Sequence, residues 1–144
     1  MTGVAVDLSE KALAVAQKNA EKLNVCDRVR FIQSDWFDSV EGQFDVILSN
    51  PPYINTDVIE TLDKNVREYD PIQALDGGKD GLDPYKMILP QAKNYLKTGG
   101  MIAFEHGYDQ CGRIKRLIEN AGFSRIQAVK DLAGHDRVLT AIDK

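Results

Sequence analysis

The run Phe44-Asp45-Val46-Ile47-Leu48, followed at once by Ser49-Asn50-Pro51-Pro52-Tyr53, constrains this chain most. A short apolar run bounded by a loop signal predicts one buried strand of a parallel sheet. Two prolines then end the strand, because neither carries a backbone N–H to continue a ladder. Each proline also drives the residue before it into extended geometry, so Asn50 and Pro51 are held open. The predicted product is a stiff loop on the C-terminal edge of a sheet, where open α/β folds bind ligands.

That loop offers particular chemistry. The Asn50 side-chain carbonyl and the Pro51 backbone carbonyl are acceptors with no obligatory partner. A planar –NH2 group has two hydrogens to give them, and Tyr53 can pack against its π-face. An amide or exocyclic amine holds its lone pair in resonance and is a poor nucleophile. Gripping both N–H bonds aims that nitrogen at an electrophile, and positioning of this kind can be worth roughly 7–11 kcal/mol of barrier. Asn-Pro alone reads as a plain proline-bounded loop. The complete Asn-Pro-Pro-Tyr after a hydrophobic strand favours the binding loop.

The rest of the chain alternates strands and helices. Gly3 to Asp7 is a short strand. Ser9 is a good N-cap with Glu10 in the first turn, and Leu13, Ala16, Ala20 and Leu23 recur at helical spacing, predicting a helix over 10–23. Arg28 to Gln33 is the next strand, and Ser34-Asp35-Trp36-Phe37 the loop after it. A short helix is expected over 57–66. Residues 67–83 read as a long loop, and loops of that length inside a domain tend to be functional. Pro84 sits at a helix N1 position, Tyr85, Ile88, Leu89, Ala92 and Leu96 form the apolar stripe, and Lys97-Thr98-Gly99-Gly100 predicts a glycine C-cap. A strand over 101–105, a helix over 111–120, and strands within 123–130 and 137–142 complete the pattern. The last two are joined by a hairpin connection at 131–136. The order predicts an α/β fold with a largely parallel sheet, an antiparallel C-terminal edge hairpin, and a single domain over 1–144.

Composition works by exclusion. The 144 residues carry a net charge of −4, without the basic face that nucleic-acid binding usually needs. No run approaches the ~18 apolar residues of a membrane span. Met1-Thr2-Gly3 leads straight into a strand, which predicts no leader peptide. Cys26 and Cys111 are too few for a disulfide framework or a zinc site. A cytoplasmic location is expected.

Two further strand ends carry candidate groups. Asp7 closes one strand, where an acidic residue can accept the hydroxyls of a ribose; it can equally assist Ser9 in capping the helix. Asp35-Trp36 closes the next. Trp36 can stack on a purine and Asp35 can accept from an exocyclic amine, whereas a rim aromatic buried in the core is the plainer reading. Three strand ends bearing Asp7, Asp35-Trp36 and Asn50 would suit an adenosine and an amine. His106 and His135 read as structural or solvated.

These residues carry a resemblance. Strand-Asp7, Asp35-Trp36, Asn50-Pro51-Pro52-Tyr53, then Leu96-Lys97-Thr98-Gly99-Gly100 before a strand ending Glu105-His106-Gly107, resembles a class I S-adenosylmethionine-dependent methyltransferase of Rossmann-like fold. Arg67-Glu68-Tyr69-Asp70-Pro71 with Ala74-Leu75, and Asp131-Leu132-Ala133-Gly134 with Asp136-Arg137, narrow it. They resemble the HemK/PrmC-type protein-(glutamine-N5) methyltransferases, which modify the Gly-Gly-Gln glutamine of peptide chain release factors. The resemblance implies that Asp7 binds the ribose of S-adenosyl-L-methionine and that Asp35 and Trp36 bind the adenine. Asn50, Pro51, Pro52 and Tyr53 would hold the target amide, with Asn50 also beside the methyl group. It implies a release factor as partner, and no metal. Asn-Pro-Pro-Tyr is shared with enzymes that methylate amino groups of nucleic-acid adenine or cytosine, so that activity is the alternative.

In the family, an N-terminal helical domain, a strand and a glycine-rich loop precede the Asp7 strand. The loop cradles the methionine end of the cofactor, and the strand lies between the Asp7 and Phe44 strands. This sequence carries none of them. The expectation is an N-terminally truncated, partial domain, marginally stable and poorly active by itself. An inactive fragment is the non-enzyme reading.

Overall fold

A computed structural model describes residues 1–63 and 71–143. It divides into two compact units, Met1–Gly42 and Gln43–Lys144.

The first unit is a βαβ element. Strand β1 (Gly3–Asp7) leads to helix α1 (Glu10–Lys22), a single 3-10 turn (Cys26–Arg28) and strand β2 (Val29–Gln33). Ser9 caps α1 as the sequence predicts, its hydroxyl accepting from the Ala12 N–H at 3.3 Å. Asn24, at a φ of 54°, turns the chain out of the helix. The two strands run parallel, in register from Gly3 opposite Val29 to Asp7 opposite Gln33. The Asp7 carbonyl continues the ladder by accepting from the Ser34 N–H at 3.2 Å.

The second unit holds a four-stranded sheet in the order β3-β4-β6-β5. The strands are β3 (Phe44–Ser49), β4 (Leu96–Glu105), β5 (Ser124–Lys130) and β6 (Asp136–Ile142). β3 and β4 are parallel, and β6 is antiparallel to both β4 and β5, giving the expected hairpin edge. Short helices α2 (Thr56–Ile59) and α3 (Ile72–Leu75) flank a segment outside the described residues. Helices α4 (Asp83–Tyr95) and α5 (Cys111–Asn120) follow. α4 packs on α5 and β4, and α5 on β5 and β6. Between them lies a core of Tyr85, Ile88, Ile102, Phe104, Ile114, Ile118, Leu139 and Ala141, all fully or almost fully buried.

Two expectations are corrected. No glycine cap ends α4. Leu96 is extended (φ −96°, ψ 142°) and opens β4 directly, because its buried side chain and its pairing with Phe44 draw it into the sheet. The glycines serve a bulge instead. From Phe44 to Val46 β3 advances two residues while β4 advances five, from Leu96 to Met101. Gly99 absorbs the extra chain at a φ of +76°. The second correction is β3 itself, whose residues are half-buried or exposed, with Val46 42 % and Leu48 74 % accessible. β3 is paired with β4 on one edge, and no described strand pairs with the other.

This difference gives a direct test of where stability resides. Leu139→Ala is expected to cost about 2–5 kcal/mol, because it empties a site 1 % exposed. Leu48→Ala is expected to change stability by under about 0.5 kcal/mol. Urea titrations of the two variants measure both, and equal losses would place the core elsewhere.

Candidate active site

The ladder partner of Ser49 is Phe104, so the chain leaves the sheet at Asn50. Asn50 is exposed, Pro51 buried, and Pro52 and Tyr53 half-buried. Among the described residues of this unit, none hydrogen-bonds the Asn50 side chain or the Pro51 carbonyl. Among those residues, the two acceptors singled out in the sequence are unengaged. Asn50 opens on a hollow of about 260 Å3 lined also by Leu48, Ser49, Ala103, Glu105 and Val138.

A second loop braces the first. Ile54 forms a parallel bridge with Asp76, donating to the Leu75 carbonyl at 2.9 Å and accepting from the Gly77 N–H at 2.8 Å. Thr56 Oγ1 and the Gly78 N–H both donate to Asp76 Oδ1, at 2.7 and 2.9 Å. These bonds, Thr56 first, hold the Asp76 carboxyl below the usual carboxylate range. A Cβ on Gly77 would stand 2.8 Å from Tyr53 Cα and 2.9 Å from the Pro52 carbonyl oxygen. Gly77 is thus required by close backbone approach. Of the long loop predicted over 67–83, the part from Asp76 onward supports the Asn50–Tyr53 segment. Arg67-Glu68-Tyr69-Asp70 lie outside the described residues.

The end of β4, with Val138 of β6, forms the other side of the hollow, and the turn after β4 is held by its own bonds. The Tyr85 hydroxyl donates to the Glu105 carbonyl at 2.7 Å, and the ring meets Phe104 edge-on at 5.6 Å. Burial, with the Tyr53 and Glu105 charges adding, pushes the Tyr85 hydroxyl well above the ordinary phenol range, so it stays a donor. The Arg137 guanidinium donates to the His106 carbonyl at 3.1 Å and pairs with Asp131 at 3.3 Å. Asp131 in turn accepts from the Ala133 and His135 N–H groups at 2.9 and 3.0 Å. The Asp131-to-Arg137 motif is therefore a clamp on the turn. His106 itself is fully buried, which agrees with its structural reading.

In the first unit, Asp7 and Asp35-Trp36 stand at the same edge of adjacent parallel strands. The Gln33 side chain ties these ends together by donating to the Leu8 carbonyl at 3.1 Å. Asp7 Oδ1 accepts from the Ser9 N–H at 2.7 Å, so the capping role is present, and the carboxylate remains exposed for a further donor. Asp35 is exposed and Trp36 half-buried. Trp36 adopts a left-handed φ of 47°. For a bulky side chain this conformation costs of order 1–3 kcal/mol and marks functional turns. Ser34, buried, accepts from the Ser39 N–H at 2.8 Å and closes the turn beneath it.

A family model described as a methyltransferase domain matches residues 2–135. The chain belongs to the methyltransferase domain family. Its relatives include proteins named release factor glutamine methyltransferase. The one from Agrobacterium fabrum is 46 % identical over 139 residues, which are 96 % of this chain and 48 % of that protein. The one from Caulobacter vibrioides is 43 % identical over 141 residues, 97 % of this chain and 49 % of that protein. The chain spans about half the length of the curated relatives it matches. Among solved structures, a methyltransferase from Pyrococcus furiosus superposes with a TM-score of 0.72 at 24 % identity, over 98 % of this chain and 62 % of that one. That likeness establishes the Rossmann-like methyltransferase fold. No described helix of this family member is long and apolar enough to cross a membrane.

Sequence reasoning missed two residues that brace the Asn50–Tyr53 segment rather than form it: Gln110, whose side chain donates to the Tyr53 carbonyl at 2.8 Å, and Gly81, which packs against that carbonyl. The available signal for Gly81 is a further glycine inside the long loop predicted over 67–83.

Proposed function

We propose that this chain takes part in transferring a methyl group from S-adenosyl-L-methionine to the side-chain amide nitrogen of a protein glutamine. The substrate is the Gly-Gly-Gln glutamine of a peptide chain release factor, in the cytoplasm. The observation that carries this reading is the pair of adjacent acceptors, Asn50 and Pro51, unengaged among the described residues of their unit, with Asn50 lining the hollow. The names of the relatives matched over nearly the whole chain support it.

The chemistry follows from the groups. The Asn50 side-chain oxygen and the Pro51 carbonyl accept the two amide hydrogens, and Tyr53 shapes the pocket wall. S-adenosylmethionine, when bound, supplies a methyl group carried on a positively charged sulfur. The amide nitrogen loses its proton after becoming cationic, so no strong general base is required of this chain. The exposed carboxylates of Asp7 and Asp35 and the strained turn at Trp36 fit a nucleoside: Asp7 for the ribose hydroxyls, Asp35 for the exocyclic amine, Trp36 for the adenine face.

The decisive assay uses a hybrid in which this chain replaces the matching half of the Agrobacterium fabrum relative. Incubated with methyl-labelled cofactor and a release factor, it is expected to label the Gly-Gly-Gln glutamine. Label on nucleic-acid amino groups instead, or none on a release factor, overturns the proposal. In the same protein Trp36→Ala is expected to weaken cofactor binding by about 1–3 kcal/mol, the worth of a base–aromatic stack. Titration calorimetry with S-adenosylhomocysteine measures it, and unchanged affinity removes Trp36 from the site.

A further inference from the structure

We infer that Gln110 is a positioning residue for the Asn50–Tyr53 loop, an inference that rests on the reading of that loop as the holder of the target amide. The loop cannot brace itself. Pro51 and Pro52 have no N–H to donate, and the Asn50 side chain and Pro51 carbonyl must stay unengaged to receive the substrate. Its first end is fixed by the pairing of Ser49 with Phe104. Its second end needs a donor from outside the loop.

Gln110 supplies it. The residue lies just before α5 and is only 4 % exposed. Its Nε2 donates to the Tyr53 carbonyl at 2.8 Å and to the Gly81 carbonyl at 3.2 Å. Its Oε1 accepts from the Gly107 N–H at 2.9 Å. One amide therefore spends both donors and an acceptor on three segments: the Asn50–Tyr53 loop, the glycine loop that braces it, and the turn after β4. The first of these segments begins at Asn50, which lines the hollow. Gly81 has no side chain because a Cβ there would stand 2.5 Å from both Gln110 Nε2 and the Tyr53 oxygen. The tight approach and the buried amide are two halves of one joint. A buried amide left half-satisfied is costly, so the joint has a defined geometry.

The test uses isotope-labelled full-length chain and nuclear magnetic resonance. In the parent, the Gln110 side-chain amide protons are expected to exchange at least about tenfold more slowly than those of exposed Gln73 and Gln127. In Gln110→Glu and Gln110→Met the Tyr53 and Gly81 carbonyl signals are expected to shift. Gly107 amide exchange is expected to rise only in Gln110→Met, because the glutamate keeps the acceptor. The Asn50 side-chain amide is expected to lose order in both, while β6 amides such as Leu139 keep their protection. Rapid exchange of the Gln110 amide in the parent overturns the inference without any variant. So does an Asn50 signal identical in parent and variants, or a loss of protection spread evenly through β6. The release-factor assay fails or succeeds independently of these signals, so failure of the functional reading is distinguishable from failure of this one.

Discussion

Asn50→Ala is expected to lower methyl transfer by the hybrid by about a hundredfold to a thousandfold while leaving its thermal unfolding unchanged. Removing one preorganised polar group from a reacting centre typically costs that much. On the proposed function, the substitution deletes one of the two acceptors for the amide hydrogens, and the nitrogen would then sample orientations that do not face the methyl donor. The fold has no comparable stake in the side chain. Asn50 is exposed, and its side chain makes no hydrogen bond with the described residues of its unit. A steady-state assay with a Gly-Gly-Gln release factor, run beside a thermal melt, separates the two effects. A variant that methylates at the parental rate removes Asn50 from the chemistry.

Gly81→Ala is expected to be nearly as damaging by a different route. Gly81 holds a φ of +70°, and an added Cβ would meet the Tyr53 carbonyl oxygen at 2.5 Å. A non-glycine residue in that conformation costs roughly 1–2 kcal/mol before any clash. The clash is with backbone and with a buried amide, so it is relieved only by moving the Asn50–Tyr53 loop. A displacement of that kind can cost about a hundredfold in rate. Gly99→Ala is the control. Gly99 has a φ of +76° but nothing within 4 Å of its would-be Cβ. It should therefore lose similar conformational energy and keep its activity. Equal loss of transfer in both variants would assign the effect to backbone conformation rather than to the clash, and full activity in Gly81→Ala would mean that the loop tolerates displacement.

The elements legible in the sequence were those whose signal is local. Helix α5 was bounded correctly at Cys111 and Asn120, and β3 was found from its apolar run and the prolines that stop it. Leu96 to Gly100 misled because its glycines satisfy a helix cap and a strand bulge equally well. The choice is made by Phe44, fifty-two residues earlier in the chain. The burial of β3 was overestimated for a similar reason: apolar composition says that a strand seeks cover, not that cover is present. At the site, Asn50 to Tyr53 stand out in the sequence because the motif sits in consecutive residues. Gln110 does not. Its importance comes from bonds to Tyr53, Gly81 and Gly107, and only one of those lies near it in sequence.

Among the described residues, β3 is paired along one edge only. Natural sheets blunt an unpaired edge with lysines, prolines or inward charges. β3 has no lysine or proline, and its one charge, Asp45, is engaged by Lys97 at 2.9 Å. Among the described residues, nothing along β3 would therefore oppose the pairing of a further strand on that edge. The strand ends at Ser49, one residue before Asn50. A strand added along that edge would run up to the Asn50–Tyr53 loop, so what pairs with β3 also decides how Asn50 is approached.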